Sequence, residues 1–146
     1  IRHVTDDFRG DLYGSSHYMR SKPDLLDIYE YPGGSEVISC IGIGADGEEH
    51  DCALYNESAE GYGLYLGWDM PVYRIMTTVN NDRKLLVVGD GYAACFIPFL
   101  TQHYSSITAV FPQYTNVSAE ELVDTAEFEQ TLFLFGINTL NGGKTE

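Results

Sequence analysis

The ten residues 84–93, Lys-Leu-Leu-Val-Val-Gly-Asp-Gly-Tyr-Ala, constrain the fold more than any other stretch of the chain. Four consecutive branched apolar residues suit a strand that is covered on both faces. The run stops at Gly89, and Asp90 then offers a short carboxylate able to cap a helix that begins at Gly91. A buried strand that ends in an acidic turn and passes straight into a helix is the opening of a parallel β-α-β unit.

Two further apolar runs, residues 107–112 and 131–136, repeat the signal. Between the three runs lie Tyr92–Tyr104 and Ser118–Ala126, each long enough for a crossover helix, and Ser118 with Glu121 matches a capping box. The carboxyl-terminal half, residues 81–146, is therefore predicted as β-α-β-α-β with three parallel strands. Right-handed crossovers put helices on the sheet faces and any site at the carboxyl ends of the strands. Asp90 and Pro112-Gln113-Tyr114 sit at such ends.

Residues 1–80 carry many tyrosines, glycine-rich turns and alternating patterns, which predict mostly antiparallel strands. Leu25–Tyr31 runs into Pro32-Gly33-Gly34, and Glu36–Ile43 and Glu49–Tyr55 flank Gly44-Ala45-Asp46-Gly47, a hairpin signal. With a three-residue loop at 45–47, Cys40 faces Cys52, and their Cβ atoms lie roughly 4.5–5.5 Å apart. That spacing admits a disulfide after local adjustment, or two buried thiols. Cys95 is left over and reads as core. Taken together, residues 1–146 read as one domain, or the carboxyl-terminal part of one.

Charge excludes several partners. The 22 acidic and 8 basic residues leave a net charge of −14, which repels phosphate backbones and anionic lipid surfaces. No run approaches the ~18 apolar residues of a membrane span, and no basic-then-apolar signal segment opens the chain. It starts at Ile1 rather than Met, as expected of a processed product or a piece of a longer protein. No cofactor is implied. Histidines 3, 17, 50 and 103 have no metal-ligand spacing, and no Cys-x-x-Cys occurs. The acidic stretch Asp46-Gly47-Glu48-Glu49-His50-Asp51 lacks the ligand spacing of a calcium loop and reads as a solvated hairpin tip. Arg9-Gly10-Asp11 spells an adhesion tripeptide and is read as coincidence. Tyr62, Tyr65 and Trp68 could stack on sugars, although Tyr62-Gly63-Leu64-Tyr65 also fits an ordinary strand.

Residues 84–116 resemble the carboxyl-terminal part of the DHHW-motif proteins, bacterial cell-envelope relatives of the SGNH hydrolases and of alginate O-acetyltransferase-type proteins. The matching residues are Asp90, Tyr92-Ala93, Phe96-Ile97-Pro98-Phe99-Leu100, His103-Tyr104 and Tyr114. Asp6-Asp7-Phe8-Arg9-Gly10-Asp11-Leu12-Tyr13 resembles the segment that follows that family's signature. The resemblance implies an SGNH- or flavodoxin-like three-layer α/β fold, a location outside the cytoplasm, and surface polysaccharide or acylated glycan as the ligand.

It also exposes three departures. The family's nucleophilic serine is Gly91 here, and its later aspartate and arginine are Phe111 and Gln113. The catalytic aspartate and histidine belong to an Asp-His-His-Trp signature that the resemblance places upstream of Ile1; His3 lies near that place without reproducing it. A serine hydrolase needs nucleophile, base and oxyanion hole together. The degenerate catalytic candidates are thus Asp90, Gly91 and Gln113, and the ligand-binding candidates Asp90, Gly91, Tyr92 and Tyr114. Gly91 leaves backbone N–H groups free to hold an anion, whereas Asp90 reads either as a cap or as a carboxylate nucleophile or base.

The leading expectation is a non-catalytic domain with a glycan-binding or scaffolding role. The alternative is an esterase or O-acetyltransferase that acts on surface polysaccharide through Asp90 and upstream residues. A third reading is structural, in which the piece packs on a missing half or on another copy of itself, since an incomplete sheet leaves an edge strand without a partner.

Overall fold

The computed structural model describes residues 1–10, 13, 20–67 and 69–141. Asp11, Leu12, His17 and Trp68, which the sequence singles out, lie outside them. Eight strands are present among the described residues. β1 (Arg2–Phe8) and β2 (Asp24–Ile28) form a separate antiparallel pair. β3 (Val37–Ile43), β4 (Glu49–Asp51), β5 (Val72–Thr77), β6 (Lys84–Gly89), β7 (Ser106–Val110) and β8 (Gln130–Leu134) build a mixed sheet in the order β4-β3-β5-β7-β6-β8.

The three apolar runs are the parallel part. β6 lies between β7 and β8 and pairs in parallel with both. Val87 and Val88 are buried, as continuous apolarity requires. Alternate residues go to opposite faces. Leu85, Val87, Ile107 and Ala109 join a core with Ala93, Ala94 and Ile97, whereas Leu86, Val88 and Val110 meet Leu122, Val123 and Phe128 on the other side. The two crossovers run in opposite directions along the sheet and lie on opposite faces, as one shared hand demands.

The expected crossover helices are shorter than the sequence pattern suggests. Tyr92–Tyr104 holds two single turns, Gly91–Ala94 and Ile97–Leu100. Pro98 has no N–H to give to the Ala94 carbonyl and its ring crowds that position, so the helix breaks there. In Ser118–Ala126 only Ala119–Leu122 is α-helical, followed by a 3-10 turn at Thr125–Glu127. Ser118 is the N-cap, yet its hydroxyl meets the Glu121 carboxylate (3.2 Å) and caps no backbone N–H. The box closes between side chains instead.

The amino-terminal half is antiparallel. Gly44 N–H donates to Glu48 O (3.0 Å), which closes the 45–47 loop. Gly47 has a φ of 82°, a left-handed conformation that suits glycine at a tight turn. The resulting register pairs Ile43 with Glu49 and Ile41 with Asp51, so Cys40 falls opposite Cys52. The two are joined by a disulfide, with Cα atoms 5.2 Å apart. It closes a short loop, for which chain-entropy reasoning gives about 3 kcal/mol.

Three local expectations are corrected. The second hairpin strand stops at Asp51, where the disulfide takes over from the ladder. The strand in Leu25–Tyr31 ends at Ile28, leaving Tyr29 and Tyr31 half-exposed. Gly61–Leu64 is a 3-10 turn, not a strand, because Gly61 enters it at a φ of 59° and only Tyr65 makes a bridge, to Tyr55. β5, which the sequence pattern leaves unassigned, pairs antiparallel with β3 and with β7 and so carries one sheet through both halves.

Candidate functional site

The carboxyl ends of β6, β7 and β8 share one edge of the sheet. The chain leaves β6 and β7 toward opposite faces, and such a switch point is where open α/β sheets place ligands. Asp90-Gly91-Tyr92 flank it on one strand and Phe111–Tyr114 on the other.

Asp90 is 4% exposed and caps the Gly91–Ala94 turn. Its Oδ1 accepts from Tyr92 N–H (3.1 Å). Its Oδ2 accepts from Gly136 N–H (2.6 Å) and from the Thr139 hydroxyl (2.7 Å). Gly136 and Thr139 belong to the turn after β8, where Gly136 caps the short helix Ile137–Leu140. The carboxylate therefore ties the end of β6 to the end of β8. Three of the carboxylate's roughly four acceptor sites are thus taken by donors of the fold itself.

Close packing surrounds this tie. A Cβ on Gly89 would meet the Leu134 carbonyl oxygen and the Ala93 methyl, so only glycine lets β6 approach β8 and its own helix. A Cβ on Gly136 would stand 2.8 Å from the Tyr92 ring and 3.2 Å from Asp90 Oδ2. Gly91 is buried at the first position of the helical turn.

Aromatic rings pack in a chain beside this cluster. Tyr92 meets Tyr62 edge to face at 5.8 Å, and Tyr62 meets Phe8 at 5.1 Å. Phe8 belongs to the amino-terminal block that the resemblance singled out, so the two blocks converge in space. Tyr92 also leads an exposed row: Phe96 lies one turn on, Phe96 and Phe99 are 6.1 Å apart, and Phe99 is 5.6 Å from Tyr29. Cys95 is half-buried in the same segment; its thiol donates to Tyr92 O (2.9 Å), and burial pushes its pKa up.

On β7 the two departures behave differently. Phe111 is fully buried and packs edge to face on Tyr73 at 5.8 Å. Tyr73 is itself fully buried; its hydroxyl donates to Asp69 Oδ1 (3.0 Å) and accepts from the Asp69 and Met70 N–H groups. Burial holds that phenol far above the ordinary tyrosine range and hence neutral. Gln113 points to solvent, and Tyr114 packs partly into the core.

Of the candidates, Asp90, Gly91 and Tyr92 form one cluster, and Gln113 and Tyr114 occupy the neighbouring strand end. Sequence reading missed Gly136 and Thr139. One signal pointed to them: a capping carboxylate spends one oxygen on the helix, and a buried second oxygen needs its own donors. His3 lies elsewhere, on β1, where Nδ1 contacts Asp27 (2.9 Å) and Nε2 contacts Asp6 (3.2 Å). Among the described residues no group of three His, Cys, Asp or Glu side chains converges as a metal site. A groove of about 480 Å3 lies away from Asp90 on the other face of the sheet, between Arg74, Met76 and Lys84 and the segment Leu122–Phe128.

The fold has solved counterparts. A DHHW family protein from Eubacterium siraeum aligns with a TM-score of 0.75 over 90% of this chain and 46% of its own, at 18% identity. PatB1 from Bacillus cereus, solved with a sulfonyl adduct, aligns with a TM-score of 0.70 over 94% of this chain and 46% of its own, at 16% identity. A second PatB1 structure gives 0.67, 95%, 47% and 19% respectively. The chain thus spans just under half the length of the structures it matches, and it shares their fold. No family model and no curated protein matches it.

Proposed function

We propose that this protein is an SGNH-like three-layer domain of the bacterial cell envelope that has lost catalysis and serves to bind a surface glycan. The observation that carries this reading is Asp90: beside it stands Gly91, which has no atom to attack an acyl group, and its carboxylate is held by Tyr92, Gly136 and Thr139. Phe111, buried where the related proteins carry aspartate, removes a second polar group. The Cys40–Cys52 disulfide supports an oxidising location outside the cytoplasm. No helix among the described residues is long and apolar enough to cross a membrane.

The catalytic alternative makes a clear counter-prediction. Acetyl-ester hydrolysis by the protein is expected to match the buffer rate, and Gly91→Ser is expected to leave it there, because among the described residues the Asp90 carboxylate is bonded to Tyr92, Gly136 and Thr139 and to no histidine. Turnover by the natural protein that Asp90→Asn abolishes would overturn the non-catalytic reading.

Glycan binding is supported by the Phe96–Phe99–Tyr29 row, whose faces offer apolar stacking surface without charge. In gels cast with a neutral polysaccharide the protein should be retarded, and Phe96→Ala with Tyr29→Ala should restore its free mobility. Equal mobility with and without the polysaccharide would refute the binding role.

A further inference from the structure

The groove on the sheet face away from Asp90 is built by the strand register. Across β3, β5, β7 and β6 one row of paired residues reads Ser39, Met76, Ser106, Lys84, and the row two positions on reads Ile41, Arg74, Thr108, Leu86. Both rows share one side of the sheet, because residues two apart along a strand face the same way. The next row, Ile43, Val72, Val110, Val88, is apolar and packs against Leu122, Val123 and Phe128. The segment 122–128 thus covers the apolar row and leaves the two mixed rows open beside it as a groove of about 480 Å3. All of the lining residues fall between Ser39 and Phe128.

Polar groups of both charges line this space without satisfying one another. Thr108 is 6% exposed, and its hydroxyl has no hydrogen-bond partner among the described residues, nor have those of Ser39 and Ser106. A hydroxyl buried to that degree takes its partner from the groove itself. Arg74 and Lys84 flank these hydroxyls from the neighbouring strands, Arg74 opposite Thr108 and Lys84 opposite Ser106. Asp124 and Glu127 stand on the opposite wall, where Asp124 Oδ1 accepts from Ala126 N–H (3.0 Å). Among the described residues the one ion pair within this set joins Arg74 to Glu49 (3.4 Å), so Lys84, Asp124 and Glu127 have no charged partner there.

We infer that this groove is a binding site for the zwitterion of an apolar α-amino acid. The ligand's carboxylate suits the donors of Arg74, Lys84, Ser106 and Thr108, its ammonium suits Asp124 and Glu127, and its side chain suits Met76, Leu122 and Phe128. Charge singles out this class. A net anion is repelled by a chain of −14 and leaves Asp124 and Glu127 unpaired, whereas a simple cation leaves Lys84 unpaired. An uncharged polyol pairs with neither sign. The volume falls in the range that holds small molecules, about 300–1,000 Å3. The site is separate from the Phe96–Phe99–Tyr29 row, so its test is independent of glycan binding.

Heteronuclear NMR of the isotope-labelled full chain, titrated with L-leucine at millimolar concentrations, tests this. Amide shifts should change and saturate at Arg74, Ser106, Thr108 and residues 122–128. N-acetyl-leucine, which lacks the ammonium, and leucinamide, which lacks the carboxylate, should each bind at least about tenfold more weakly, since each forfeits charge-assisted hydrogen bonds. Lys84→Gln and Glu127→Gln, both at exposed positions, should weaken leucine binding about fivefold or more while the spectrum away from the groove stays unchanged. Absence of saturable shifts at these residues overturns the inference, as does a blocked ligand or a variant that binds as tightly as leucine binds the natural chain. Glucose that moves the same amides with equal affinity also overturns it, since the groove would then be reading hydroxyls rather than charge.

Discussion

Phe111→Asp, which introduces the residue that the family resemblance implies at this position, is expected to lower the melting temperature by at least about 10 °C and to leave little native protein at 37 °C. Phe111 is fully buried, its ring lies edge to face on Tyr73 at 5.8 Å, and its N–H donates to Pro71 O (2.8 Å). Deleting a buried phenyl ring costs about 3–5 kcal/mol. A carboxylate left there without a partner adds several kcal/mol more, roughly 5 or above in all. Whole domains hold only about 5–15 kcal/mol. Gln113→Arg, by contrast, is exposed and should stay within about 0.5 kcal/mol. Thermal melts of the two variants separate these outcomes. A Phe111→Asp protein that melts within a few degrees of the natural one would mean that the end of β7 still accommodates a carboxylate.

Asp90→Ala is expected to cost about 3 kcal/mol, because it removes the acceptor of three hydrogen bonds and strands buried donors. The N-cap bond to Tyr92 N–H is about 1 kcal/mol of this, as for other capping residues. The remainder lies in the link to Gly136 N–H and the Thr139 hydroxyl. Asp90→Asn should lose less, since one oxygen still accepts while the amide nitrogen faces a donor it cannot satisfy. The loss should also be local. Amide exchange at Gly136 and through Ile137–Leu140 should speed up in both variants before global stability falls. If Asp90→Ala leaves Gly136 protected, the carboxylate is not what holds this turn, and a chemical role for Asp90 returns to consideration.

Much of the parallel half was legible because burial on both faces leaves a run of apolar residues that no exposed element tolerates. β6, β7 and β8 were found this way, each within a residue or two at its ends. The hairpin register followed from a glycine turn of set length. Helix lengths were overestimated: Pro98 is a local breaker written in the sequence, whereas the short Ala119–Leu122 turn answers to packing against the sheet. β5 escaped because its residues alternate between a buried and an open face, a weak pattern in only six residues. At the candidate site, Asp90 as a cap could be read directly. Its clamp on residues 136–139, 46 to 49 positions away, could not.

What the chain by itself determined was the kind of elements present and the glycine that follows Asp90, since apolar runs, turn glycines and Gly91 are properties of neighbours in sequence. Only the tertiary structure decided that Phe111 is core, that the Asp90 carboxylate is held by Gly136 and Thr139, and that β6 lies between β7 and β8. These depend on which strands lie side by side, and that order is set by long-range burial and pairing, which leave no periodic mark in the residues themselves.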